Sequence, residues 1–139
     1  MMAIKRPFRV FICHPFREDV KANAERIKAI AREVTVRAAT ADRLIRAVAP
    51  QLDLPRTLNP EDPNEDALAC ALCLGDLATC DAVLAFRYGR DPTEGMAAEI
   101  DAAQAAGIPV VFVDSWDEYP TETAAAALFA ALRLVEGAE

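Results

Sequence analysis

At 139 residues the chain is long enough for one domain that buries roughly two-thirds of the surface its unfolded form exposes. Its net charge of −7 argues against non-specific binding to polymeric nucleic acid, which needs a basic face, but leaves room for a small anion held by a few local arginines. No apolar run approaches the ~20 residues of a membrane span, and the leader Met1-Met2-Ala3-Ile4-Lys5-Arg6 lacks the apolar core of a signal peptide, so a cytoplasmic protein without membrane contact is expected.

The chain contains four cysteines and a single histidine. Cys70 and Cys73 form a C-x-x-C inside a helical pattern, with no second pair nearby. A zinc site needs about four ligands, so no metal or other cofactor is expected, and Cys13, Cys70, Cys73 and Cys80 are read as core residues.

Taken in order, Phe8-Arg9-Val10-Phe11-Ile12-Cys13 is a run of β-formers and predicts the first strand. The loop His14-Pro15-Phe16-Arg17 follows, then a helix from about Glu18 with Val20, Ala24, Ile27, Ala31 and Val34 on one stripe. The pattern weakens at Val34-Thr35-Val36 and resumes through Leu44-Ile45, so the helix either breaks near residue 35 or runs long. Arg46-Ala47-Val48-Ala49 predicts a short second strand ended by Pro50. Residues 50–63 hold four prolines and predict an irregular connection. Asp62-Pro63-Asn64-Glu65 is a helix-start signal for a helix over 63–79, which is apolar on most sides (Leu68, Leu72, Leu74, Leu77) and is expected to be well buried. Ala82-Val83-Leu84-Ala85-Phe86 predicts a buried strand, residues 92–106 a helix, and Val110-Val111-Phe112-Val113 a further strand. Thr121 can cap a final helix with Leu128, Phe129, Leu132 and Val135 on one side. Strands alternating with helices imply a single three-layer, doubly wound α/β domain over residues 1–139 with a four- or five-stranded parallel sheet.

The segment after residue 90 carries the chemistry. Asp91 suits an N-cap, Pro92 a first helical position and Glu94 a capping box, while Gly107 and Pro109 close the helix. At 100° per residue Gly95, Glu99, Ala102 and Ala106 share a narrow stripe of small residues, expected to pack on the sheet. Glu99 is thus either a peripheral carboxylate that reaches to water or a functional one at the mouth of the strands, because burying it unpaired costs several kcal/mol.

In doubly wound sheets ligands bind beyond the carboxyl ends of the strands. That rule gathers residues 14–17, 87–99 and the loop after Val48. Arg17 precedes a helix N-terminus that favours an anion. Thr93 and Gly95 offer a hydroxyl and backbone donors at a second one. Phe16, Tyr88 and Met96 offer surfaces for a base or sugar ring, and Arg87 and Arg90 add charge. Taken singly, each arginine also reads as a solvated surface residue, and His14 as a satisfied structural histidine. No Gly-rich phosphate loop of either common type is present.

These residues resemble the nucleoside 2-deoxyribosyltransferases and their relatives, which include deoxynucleoside 5′-monophosphate N-glycosidases and uncharacterised branches. The likeness rests on Phe11-Ile12-Cys13-His14-Pro15-Phe16-Arg17, on Cys80-Asp81-Ala82-Val83-Leu84, and on Gly95, Glu99 and Gly107-Ile108-Pro109 at the family's spacing. The nearest look is to an uncharacterised branch, through Thr93-Glu94-Gly95-Met96-Ala97-Ala98-Glu99.

The resemblance implies an N-glycosidase or N-(deoxy)ribosyltransferase acting on a small nucleotide or nucleoside. Glu99 would be the nucleophile and would form a covalent glycosyl-enzyme ester, as in retaining glycosidases. His14, Phe16, Arg17, Arg87, Tyr88, Asp91, Thr93, Gly95 and Met96 would line the substrate site. Thr93 stands where monophosphate hydrolases of the family carry Ser, which together with Arg17 favours a 5′-phosphate. The family's second carboxylate falls on Cys73, and Asp66, two turns earlier, is the candidate to replace it. The alternative is a catalytically inactive nucleotide-binding or sensing module. The family often completes its site from a neighbouring subunit, so a homodimer or larger homo-oligomer is expected, with the final helix as a candidate contact.

Overall fold

Continuous apolar runs form strands covered on both faces, and the computed structural model, which describes residues 6–40 and 44–114, shows four of them. These are β1 (Phe8–Cys13), β2 (Ile45–Val48), β3 (Ala82–Phe86) and β4 (Val110–Val113), in the order β2-β1-β3-β4. Every pairing is parallel, with Phe11 beside both Val48 and Val83, and Ala85 beside Phe112. The arrangement is the expected doubly wound α/β layering. The predicted helix after Thr121 lies outside the described residues. Among the described residues no helix is long and apolar enough to cross a membrane.

Alternation along the strands divides the core in two. On one face Val10, Ile12, Leu84 and Phe86 pack against helix α1 (Val20–Thr40) through Ile27, Ile30, Val34 and Ala38. On the other, Phe11, Cys13, Val83 and Ala85 pack under Leu77 of α3 (Pro63–Leu77) and Met96, Ile100 and Ala103 of α4 (Glu94–Ala105).

Of the two readings of α1, the long one holds. Val34 and Ala38 continue the buried stripe past the β-branched pair, and tertiary burial outweighs the small propensity cost of Val and Thr. Thr35 satisfies its hydroxyl on the Ala31 carbonyl at 2.8 Å. The helical pattern does not extend to Leu44-Ile45. Ile45 opens β2, so the second strand sits one residue earlier than expected. The proline-rich connection is also more ordered than expected, with a short helix α2 (Pro50–Asp53) and a 3-10 turn (Leu54–Arg56), because prolines fit first helical positions.

The start signal of α3 works as read, since the Asp62 carboxylate accepts from the Asn64 and Glu65 amides. Its burial differs from expectation. Leu77 is 2% exposed, but Leu68, Leu72 and Leu74 are 49%, 44% and 39% exposed. A helix apolar on most sides carries no periodicity to say which stripe faces in. The half-buried inner stripe is Asp66, Ala69, Cys73 and Asp76. For the same reason Cys70 is exposed and Cys73 half-buried, while Cys13 and Cys80 are core residues as expected.

In α4 the cap is Thr93, not Asp91. The Thr93 hydroxyl accepts from the Met96 amide at 3.3 Å, and Asp91 is exposed outside the helix. At the other end Gly107 takes φ 73°, its amide bonds the Gln104 carbonyl and the Ile108 amide bonds that of Ala103, which is a Schellman stop. Asp81 pins the start of β3 to β1 through the Arg9 amide at 2.8 Å and its own amide on the Arg9 carbonyl at 2.7 Å. Thr93→Ala should therefore cost about 1 kcal/mol in urea unfolding, whereas Asp91→Ala should fall within roughly 0.5 kcal/mol of wild type; the reverse order would return the cap to Asp91.

Candidate functional site

Four parallel strands bring the ends of β1 and β3 and the start of α4 to one edge of the sheet. There the stripe of α4 that meets the sheet is Met96, Ile100 and Ala103, turned by one residue from the small-residue stripe expected from the sequence. Large apolar side chains gain more from burial than glycine and alanine do, and they take the inner position. Gly95 is exposed, with open space where a Cβ would be. Glu99 is left on the shoulder of the helix, half-buried.

Glu99 has no ion pair or hydrogen bond to any described residue. Burial pushes its carboxyl up from 4.5 to about 7. Two thiols feel its charge. Burial, then Glu99, raises Cys73 on α3 to about 12, and the same two causes raise Cys13 at the end of β1 further still. The Cys13 thiol donates to the Met96 carbonyl at 3.8 Å. Glu99 thus lies on the side of α4 from which its charge reaches Cys73 on α3 and Cys13 at the end of β1. A carboxylate that titrates near neutrality without a cation beside it is suited to act as nucleophile or base.

Two further residues singled out in the sequence pair with each other. Arg17 Nη2 donates to Asp66 Oδ1 at 2.6 Å, bridging the turn after β1 to the first turns of α3. That bond and the Asp66 charge hold the Arg17 guanidinium above its usual range, with smaller contributions from Cys70 and Glu94. Arg17 therefore lies within electrostatic reach of both α3 and α4. On α3 the charge of Glu99 reaches Cys73.

His14, Phe16 and Tyr88 belong to the α1 face. Phe16 and Tyr88 pack against that core cluster, and the His14 ring lies 5.7 Å from Phe86 and 5.2 Å from Tyr88. The Pro15 carbonyl, 2.6 Å from Nδ1, can only accept, so His14 carries its proton there and Nε2 accepts from the Tyr88 hydroxyl. Burial lowers His14 to about 4 and raises Tyr88 to about 12, keeping both neutral. Tyr88 adopts φ 54°, a left-handed conformation that an L-residue holds only when its surroundings enforce it. Met96 is in the opposite cluster, so Phe16, Tyr88 and Met96 do not form one stacking surface.

Arg87 and Arg90 are engaged at the ends of β3 and β4. Arg87 grips Asp114 through two bonds of 2.8 and 3.1 Å and lies 3.9 Å above the Phe112 ring, while Arg90 meets Glu18 at 3.6 Å. With Gly89, Asp91 and Pro92 they line an open depression of about 600 Å³. Exposed pairs of this kind contribute ~0–1 kcal/mol, so a ligand anion can exchange for either carboxylate.

Sequence reading missed Gln51 on α2. Its Nε2 donates to the Ile12 carbonyl at 3.1 Å, while Oε1 is buried without a donor. Such an acceptor costs ~1–3 kcal/mol unless a donor arrives. Position after β2 was the only signal available, since a glutamine beside a proline reads as surface.

The profile of a family described as "Domain of unknown function (DUF7768)" matches residues 8–113. No curated protein matches the sequence. Among solved structures, a 2-deoxyribosyltransferase from Leishmania mexicana is 16% identical with a TM-score of 0.55, over 76% of this chain and 63% of that one. A 2-deoxyribosyltransferase from Bacillus psychrosaccharolyticus is 13% identical with a TM-score of 0.56, over 75% and 70%. A conserved protein from Enterococcus faecalis V583 is 25% identical with a TM-score of 0.51, over 77% and 63%. The chain thus has a deoxyribosyltransferase-like fold and spans less than two-thirds of the first of these proteins.

The raised carboxyl of Glu99 has a thermodynamic signature. Between about 4.5 and 7 the folded state keeps the Glu99 proton that the unfolded state releases, so this group's contribution to stability falls as pH rises through that window. Glu99→Gln should flatten the fall of the melting temperature between pH 5 and pH 7.5 and leave the protein at least as stable at the upper end. A large loss of melting temperature at neutral pH would instead mean that Glu99 anchors structure.

Proposed function

The chain belongs to the DUF7768 family, and on that premise we propose that it cleaves or transfers the N-glycosidic bond of a small nucleotide, with Glu99 as nucleophile. The observation that carries this reading is a half-buried carboxylate, without a cation, on the shoulder of α4. Poorly hydrated and free of an ion pair, such a carboxylate attacks the anomeric carbon more readily than one in bulk water. The C1′–N bond breaks, a glycosyl ester of Glu99 forms, and water or a second base takes the sugar with net retention.

Arg17 pairs with Asp66 of α3 and feels the charge of Glu94 on α4, and exchange of its Asp66 partner for a 5′-phosphate would hold the substrate near Glu99. Thr93 and the amides of Glu94 and Gly95 begin α4, where the first-turn donors of a helix suit the same anion. Gln51 Oε1 supports the reading as an acceptor awaiting a donor. The exposed leucines of α3 support a homodimer or larger assembly as the functional unit. Cys73, standing where the family's second carboxylate would, favours the second reading, a nucleotide sensor without turnover.

Base release from a panel of nucleoside and deoxynucleoside 5′-monophosphates, followed by chromatography, tests the proposal. Glu99→Gln should lower turnover by orders of magnitude with little change in affinity. Arg17→Ala should weaken calorimetric binding of nucleotides by ~1.5–3 kcal/mol and leave nucleosides nearly unaffected. Tight binding without release by either protein would select the sensor; equal loss of nucleotide and nucleoside binding in Arg17→Ala would remove the phosphate contact.

A further inference from the structure

The loop between β3 and α4 is built on a tight turn that its sequence does not favour. Arg87-Tyr88-Gly89-Arg90 closes with the Arg90 amide on the Arg87 carbonyl at 3.1 Å, and its two central residues take φ 54° and φ 70°. Two such values in succession are those of a type I′ turn, which asks for Asn or Gly at its first central position. A tyrosine there is strained, and its surroundings hold it. The hydroxyl donates to His14, the ring lies 6.3 Å from that of Phe86, and the Arg26 guanidinium stands 5.9 Å above it. The consequence is geometric. A turn of this class brings its first and fourth residues within about 7 Å of each other, and here both are arginines.

Both arginines line the same open depression of about 600 Å³, together with Gly89, Asp91, Pro92 and Asp114. Arg87 lies 3.9 Å over the Phe112 ring, a contact that keeps the guanidinium plane in place whether or not Asp114 holds its edge. Arg90 meets Glu18 at 3.6 Å, too long for a hydrogen bond. Glu18, Asp91 and Asp114 are all exposed, so water screens the carboxylates that compete for the two cations. Glu18 follows Arg17 in the 3-10 turn Arg17–Asp19, and through it Arg90 reaches the turn that carries the candidate phosphate-binding arginine.

We propose that this depression holds a second phosphate through Arg87 and Arg90, and that the ligand is a nucleoside 5′-diphosphate or triphosphate. The inference rests on the nucleotide reading above, in which Arg17 takes the sugar-linked phosphate, and it lengthens that ligand by at least one phosphate. A phosphate offers each guanidinium a charged, bidentate acceptor, which exposed carboxylates from separate elements match less well. Both cations come from one enforced turn and stand in position before the ligand arrives, which lowers the cost of binding it.

Calorimetry without magnesium tests the site, using the 2′-deoxynucleoside 5′-mono-, di- and triphosphates of the four bases, with orthophosphate and pyrophosphate as base-free probes. For the best-bound base the wild type should prefer the diphosphate to the monophosphate by at least ~10-fold, the scale of one further charge-assisted contact. Arg90→Gln and Arg87→Gln should each remove most of that step and leave monophosphate affinity within about 2-fold of wild type. Arg32→Gln, at an exposed position on α1, controls for the change in net charge. Should Arg87→Gln unfold, Arg90→Gln decides, because the Arg90 side chain is 61% exposed. Equal affinity for mono- and diphosphates, or equal losses in Arg32→Gln and Arg90→Gln, would overturn the site. Because binding is read without turnover, the two readings separate. A diphosphate preference lost in Arg90→Gln with no base released from any nucleotide keeps this site and removes the N-glycosidase. Base release from monophosphates with no diphosphate preference does the reverse, and no binding of any probe removes both.

Discussion

Parallel pairing of β1 with both β2 and β3 is the constraint on which the rest depends. It requires helical crossovers, buries the strands on both faces, and places the ends of β1 and β3 and the start of α4 on one edge. Asp81 sets that register at the opposite edge by bonding the Arg9 amide, so the position of Cys13 relative to α4 follows from a contact far from it in the sheet. The candidate site follows from this pairing, because α3 and α4 both pack on the face of the sheet that carries Phe11 and Cys13.

Within that frame α4 resolves a competition. Met96 and Ile100 take the sheet-facing stripe, and the favourable burial they supply carries Glu99 to a shoulder where it is half out of water. A carboxylate there works against stability at neutral pH. Thr93 at one end of the helix and the Gly107 stop at the other hold the helix in register against that cost. The opposite face shows a second local cost. Tyr88 keeps a left-handed backbone because its ring packs beside Phe86 and its hydroxyl bonds His14, which fixes the loop leading to α4.

Helix α3 is the less settled element. Its cap is well made, yet its inner stripe is small and polar while Leu68 and Leu72 face outward. The half-buried Cys73 of that stripe feels the charge of Glu99, while Asp66 near the start of the same helix pairs with Arg17.

The sequence by itself determined the strands and the layer order, and it singled out the segment around Glu99 as a candidate site. Apolar runs of four to six residues such as Ala82–Phe86 and Val110–Val113 have no other stable use than a covered sheet, and Asp62-Pro63 and Gly107 are local signals that act through their own backbone. Tertiary structure alone decided what those signals leave open. Helix α3, apolar on most sides, has no periodicity from which its exposed leucines or half-buried Cys73 could be read. The choice of Thr93 over Asp91 as cap depended on which residue the β3–α4 loop delivers to the first turn. The pairing of Arg17 with Asp66, and the absorption of His14 and Tyr88 into the α1 face, join residues 49 and 74 positions apart. Such partners are set by the crossing of chain segments, on which local sequence pattern has no hold.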